Sequence, residues 1–128
     1  MSYIDKSKQS LEVAEFCYEN KCYDSCVNRY YYSFYQELMD KLSKKGISID
    51  DRNISGGSHE RAFNNFIDKV LRPIKRVKPR EITKLRTEYG NLKNLRNLAD
   101  YKPESISKKD VDEAIKMYNN LKKEINII

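Results

Sequence analysis

The stretch from about Tyr23 to Lys45 constrains the fold more than any other. Read at 100° per residue, it carries two apolar stripes on adjacent faces. One is Tyr23, Val27, Tyr30, Phe34 and Leu38, and the other is Tyr31, Tyr35, Met39 and Leu42. A surface helix needs only one stripe, so a helix with two is covered on more than one side. It is either the central helix of a bundle or a bundle helix that also lines a subunit interface. Tyrosine tolerates partial wetting, which suits the interface reading. Asp24 or Ser25 is a candidate cap at its start, and Gly46 is a good stop at its end.

Four more segments carry helical periodicity. The first runs from about Asp5 to Glu19, with Leu11, Ala14 and Tyr18 on one face, widened by Val13, Phe16 and Cys17. The third starts with Ser58 as candidate cap and ends before Pro73, its face made by Ala62, Phe63, Phe66, Ile67 and Val70. The fourth spans about Arg80 to Asp100, with Ile82, Leu85, Tyr89, Leu92, Leu95 and Ala99 in one stripe. The fifth opens at Ser107 and Asp110, a shortened capping box, and runs to about Ile125. Ile47 to Gly57 reads as a loop, and Gly56-Gly57-Ser58 is no phosphate loop because no Gly-Lys-Ser/Thr follows. No segment alternates like a strand. The 128 residues are therefore expected to form a single domain over 1–128, an all-α, antiparallel up-down bundle of about five helices. In simple up-down order the second and fourth helices run parallel.

With 34% charged and 39% hydrophobic residues, a soluble globular chain is expected. No apolar run approaches the ~18 residues that span a bilayer, and the start of the chain lacks the apolar core of a signal peptide. No membrane association and a cytoplasmic location are the expectation. Cys17, Cys22 and Cys26 include no C-x-x-C pair, and His59 is the single histidine. Reduced, mostly buried thiols are expected rather than a metal site, and no cofactor is implied.

The net charge of +6 is concentrated. Lys69, Arg72, Lys75, Arg76, Lys78, Arg80, Lys84 and Arg86 face a single acid, Glu81, so this segment carries +7 and the remainder −1. Such a segment is either an electrostatic footprint for phosphate or a solvated connection that keeps the protein soluble. Arg72, Lys75, Arg76, Lys78, Arg80 and Lys84 are the candidate RNA-binding residues.

Arg96 falls inside the apolar stripe of the fourth helix, with Asp100 one turn later and Tyr101 beside it. An arginine on a core-facing sector needs a partner, a wet interface or a site. Arg29 is the other arginine beside an apolar face. One reading is an internal Arg96–Asp100 pair that fixes the fourth helix against the second. The other is a site for phosphodiester chemistry, in which arginine stabilises charge developing on phosphorus and a polar neighbour moves a proton. In RNA cleavage the 2′-hydroxyl serves as internal nucleophile, so no metal is needed. His59 either packs locally at the start of the third helix or reaches the Arg96 cleft as a general acid.

Asn28-Arg29-Tyr30-Tyr31-Tyr32-Ser33-Phe34-Tyr35 resembles the signature on the second helix of HEPN domains. Ser58-His59, with Phe66 behind it, resembles the start of their third helix. Arg96-Asn97-Leu98-Ala99-Asp100-Tyr101 resembles the end of their fourth. The resemblance covers about residues 8 to 120, with the motifs in the family's order. It implies a compact helical bundle, usually a homodimer, and in many members a metal-independent endoribonuclease of toxin–antitoxin or phage-defence modules. Other members partner a nucleotidyltransferase or bind nucleotides. The family's nuclease motif is an arginine followed by histidine at the end of the fourth helix. Arg96 matches the arginine, but Tyr101 stands where histidine is first expected, and no histidine follows. The resemblance thus nominates Arg96, Asp100, Tyr101 and Arg29 as catalytic-site residues. The alternative is a non-catalytic module whose second-helix tyrosine face dimerises or binds a nucleotidyltransferase-type antitoxin, another defence protein or a nucleotide.

Overall fold

Ser2 and Ser107 each open a helix in the same way. The serine hydroxyl accepts the N–H of Asp5 or Asp110, and that aspartate accepts the N–H of its serine, so two orphan donors are satisfied at each start. The computed structural model describes residues 2–47, 57–74, 76–101 and 106–126. They form five helices: α1 (Tyr3–Glu19), α2 (Tyr23–Lys44), α3 (Ser58–Phe66), α4 (Pro79–Tyr101) and α5 (Lys108–Ile125). A π-helical turn, Ile67–Leu71, continues α3. No strand occurs among the described residues, and no helix is long and apolar enough to cross a membrane. The all-α bundle expected from the periodicities is the one observed. Most of the Ile47–Gly57 loop, and the chain break at Lys102-Pro103, lie outside the described residues, as does the side chain of Ser58. Gly57 takes the cap position of α3.

Helix stops follow local chemistry. Gly46, at φ 71°, ends α2 in a Schellman turn: Ile47 N–H reaches Leu42 O at 2.9 Å and Gly46 N–H reaches Ser43 O at 3.0 Å. α1 ends in the same turn with Lys21 at φ 59° in the glycine-like position. The cap of α2 differs from expectation. Cys22 holds the cap position, and neither Asp24 nor Ser25 does. Asp24 instead accepts the N–H of Ile106, tying the entry of α5 to the start of α2.

α2 is the central helix. Val27, Tyr31, Phe34, Leu38 and Leu42 are fully buried. α1 crosses it through reciprocal serines: Ser7 Oγ donates to Ser33 O at 2.7 Å, and Ser33 Oγ donates to Ser7 O at 2.9 Å. α5 lies along another side, where Tyr118 packs edge-on to Tyr30 and its hydroxyl meets Ser33. The second tyrosine stripe of α2 is covered by α3 and α4, since Tyr35 and Tyr31 both stack on His59 and Tyr31 meets Tyr89. Tyr31 is fully buried there, while Tyr35 and Met39 stay half-buried, so α2 is the central helix of the bundle. The reason is the path of α3. Glu60 and Asn64 pair with Lys93 and Arg86, so α3 opposes α4, while Asn28 pairs with Asp100 and Phe34 packs on Tyr89, so α2 also opposes α4. α3 therefore runs in the same sense as α2. α2 and α4 run antiparallel rather than parallel.

Candidate functional site

The antiparallel pairing sets the late residues of α4 against the early residues of α2. Three consecutive tyrosines then diverge by about 100° each. Tyr30 turns to α5, Tyr31 to α3 and α4, and Tyr32 to the two arginines. Arg96 Cζ lies 4.8 Å from the Tyr31 ring centre, 5.9 Å from that of Tyr32 and 5.9 Å from that of Tyr101. Stacking on aromatic faces solves the problem of a half-buried cation without a carboxylate. Nη1 donates to Tyr32 Oη at 3.3 Å and Nη2 to Asn97 Oδ1 at 2.8 Å. The Nε–H is buried and has no hydrogen-bond acceptor among the described residues. Among those residues no acid pairs with Arg96. The expected Arg96–Asp100 pair is replaced by the Asn97 contact, because the Tyr31 ring draws the guanidinium toward α2.

His59 belongs to the same cluster. Its ring stacks on Tyr35 at 3.9 Å, lies 5.5 Å from the Tyr31 ring and meets Tyr32 edge-on at 5.7 Å. Nδ1 is 2.8 Å from the Tyr31 hydroxyl, which is 3.2 Å from the Tyr89 hydroxyl. Burial lowers the imidazole pKa below its ordinary 6.5, and the positive charges of Arg96 and Lys93 lower it further. The ring is neutral at neutral pH. Burial also raises the Tyr31 and Tyr89 phenols, so both keep their protons. Of the two sequence readings of His59, the structure brings the residue to the Arg96 cluster while also packing it.

Asn28 joins the other candidates. Its Oδ1 accepts from Arg29 Nε at 2.8 Å and Nη2 at 2.6 Å, and its Nδ2 donates to Asp100 Oδ2 at 2.9 Å. Arg29 Cζ also sits 5.2 Å from the Tyr32 ring. Tyr32 is thus the ring both arginines approach, although they stand on different helices. Asp100 touches Asn28 rather than Arg96. Tyr101 is 72% exposed, and its contact to the cluster is through its ring.

The basic segment stands apart. Arg76, Lys78 and Arg80 are exposed, Arg72 pairs with Asp68 at 3.0 Å, and exposed Lys84 is 3.9 Å from Glu88. Lys75 lies outside the described residues. At 1.5 Å rise per residue, Arg80 is about 24 Å from Arg96 along α4. Cys17 and Cys26 are buried and Cys22 is exposed. Cys26 donates to Ala14 O, and burial pushes its pKa to about 12, so it is an unreactive packed thiol.

No protein-family model, no curated protein and no solved structure matches the chain. Reading the sequence missed Tyr31, Tyr32 and Lys93 as members of the site. The signal was there in part: Tyr31 and Tyr32 fall inside the motif-like stretch of α2, but they read as packing without the antiparallel register.

Proposed function

We propose that this chain is a HEPN-type, RNA-directed component of a prokaryotic toxin–antitoxin or phage-defence module, with Arg96 and His59 as its working pair. The observation that carries the reading is the meeting of these two side chains on the Tyr31 and Tyr32 rings. His59 then supplies from α3 the imidazole that the end of α4 lacks. With its proton on Nδ1, His59 donates to the Tyr31 hydroxyl and leaves the Nε2 lone pair free as a base. Nε2 takes the proton of an RNA 2′-hydroxyl, the 2′-oxygen bonds to phosphorus, and the P–O5′ bond breaks. The 5′-oxygen receives a proton from the imidazolium or from water. Arg96, held by Tyr32 and Asn97, neutralises the charge that grows on the phosphoryl oxygens. The products are a 2′,3′-cyclic phosphate and a 5′-hydroxyl, formed without a metal.

The test is RNA cleavage in the presence of a chelator, with the ends identified. Arg96→Ala should lower the rate by about 10²–10³-fold, and His59→Ala by about 10²–10⁴-fold. Cleavage unchanged by either substitution would remove that residue from the chemistry.

A second reading, a non-catalytic interaction module, is favoured by one observation. Val13, Phe16 and Tyr101 are large, exposed apolar side chains, and Val13 and Tyr101 line one open groove with Arg29 and Asp100. This surface would take a second copy or a nucleotidyltransferase-type partner, in place of the covered tyrosine face of α2.

A further inference from the structure

Gly90 stands at the midpoint of α4, where glycine is the poorest ordinary helix former. Its φ is not positive, and a Cβ built on it meets no atom within 4 Å. Neither backbone conformation nor close packing calls for glycine here. What surrounds it is a cavity of about 530 Å³ between α3 and α4. On α4 its wall is a single helical face, Arg86, Gly90, Lys93, Asn94 and Asn97, and Tyr89 and Phe63 form a stacked pair beneath it.

Among the described residues, one charge pair and one unpaired cation line this cavity. Lys93 pairs with Glu60, and Arg86 donates to the neutral Asn64 Oδ1 at 2.7 Å and keeps its charge. The other polar groups are amides. Asn64 and Asn97 have their oxygens occupied by Arg86 and Arg96, which leaves their amide N–H groups to donate, and Asn94 is exposed with both functions available. These amide donors and acceptors beside two aromatic side chains fit a flat, polar heterocycle, and the Arg86 charge suits a phosphate attached to it. The volume suits a ligand of nucleotide size.

The position of the cavity adds to this. It lies along α4 from Arg86, the last residue of the basic segment, to Asn97, which belongs both to its wall and to the Arg96 contacts. We infer that this cavity is a nucleobase pocket, which holds one base of a single-stranded RNA while the adjoining phosphate meets Arg96. The inference rests on the RNA-directed reading above and adds what that reading lacks, a source of base selectivity. Gly90 keeps the pocket open. The same chemistry would accept the base of a free mononucleotide.

The test uses short homopolymeric single-stranded RNAs and the nucleoside monophosphates as probes, with binding measured on the intact chain. The wild type should discriminate among bases, and Gly90→Leu should weaken the preferred RNA by roughly tenfold and level the preference. Asn94→Leu, at an exposed position, should act in the same direction and serves if Gly90→Leu fails to fold. Competition by a monophosphate assigns the pocket to free nucleotides, and binding by RNA alone assigns it to the chain; either supports a base site. Binding of RNA without base preference, unchanged in both variants, overturns the pocket and leaves the Arg96–His59 reading standing. Absence of binding to any RNA or monophosphate overturns both.

Discussion

The Arg96 guanidinium rests 4.8 Å from the ring centre of Tyr31, and the hydroxyl of that same ring lies 2.8 Å from Nδ1 of His59. One buried side chain of α2 thus positions a cation from α4 and an imidazole from α3. Tyr31 is fully buried, so its ring has little freedom to move, and both groups inherit its position. The Tyr89 hydroxyl backs the arrangement from the floor of the bundle.

His59 should titrate below 6.5, since burial and then the charges of Arg96 and Lys93 oppose its protonation. It is the single histidine, so its NMR titration is unambiguous. Arg96→Ala should move the midpoint upward by removing one of the opposing charges. The sign of the linked stability follows. Between the folded and unfolded pKa values the unfolded chain binds more protons, so stability is complete above about 6.5 and falls as pH drops toward the folded value. A midpoint at or above 6.5 that ignores Arg96→Ala would show that the two groups are not neighbours.

Tyr31→Phe keeps the ring under Arg96 but removes the hydroxyl between His59 and Tyr89. Tyr89 is itself buried, and its hydroxyl loses that partner. The cost should be about 1–3 kcal/mol, read as a lower midpoint in urea with an unchanged m-value. If cleavage activity is present, Tyr31→Phe should also alter its pH profile, because the His59 tautomer is no longer set by that hydroxyl. A variant as stable as wild type would mean that water bonds to Nδ1 and Tyr89 instead.

Lys21→Gly should stabilise the protein. Lys21 is the only non-glycine residue with positive φ among the described residues, and it fills the position that Gly46 fills at the end of α2. A Cβ in this left-handed conformation costs roughly 1–2 kcal/mol, part of which is returned by the greater chain entropy of unfolded glycine. A net gain of about 0.5–1 kcal/mol is expected, measured as a higher thermal midpoint. A lower midpoint would mean that the lysine side chain makes an interaction that outweighs its backbone strain.

The elements are legible in the sequence because each is written locally. Tyr23, Lys44 and Lys108 bound helices where periodicity, Gly46 and the Ser107 box place them. Arg96 is legible too, as a charge inside an apolar stripe. Its partners are not. Which residues face Arg96 depends on whether α2 and α4 run together or opposed, and that depends on the direction of α3, a matter of tertiary packing with no local signature. The one-turn spacing suggests an Arg96–Asp100 pair within α4, whereas Asp100 bonds to Asn28 of α2. The second tyrosine stripe of α2 suits a subunit interface, whereas His59 of α3 packs on Tyr35 there. His59 shows the same limit, since nothing in Ser58-His59-Glu60 reveals that the ring lies against Tyr35.

Arg80 and Arg96 are about 24 Å apart along α4, so the exposed charges up to Arg80 and the Arg96 cluster should fail separately. Arg76, Lys78 and Arg80 are exposed, and attraction of an RNA backbone is the role their position allows. For single-stranded RNA, every phosphate the protein no longer neutralises should flatten the plot of log affinity against log salt by about 0.7. The triple substitution Arg76→Gln, Lys78→Gln and Arg80→Gln should therefore reduce the slope by about 2. Affinity should fall most at low salt. If RNA is cleaved, KM should rise with kcat unchanged, because distant charges hold substrate and transition state alike. Arg96→Ala should do the reverse, lowering kcat with little change in the salt slope. A triple variant with the wild-type slope would make the +7 segment a solvated connection only. A triple variant that loses kcat would place the RNA nearer the start of α4 and move the working site away from Arg96.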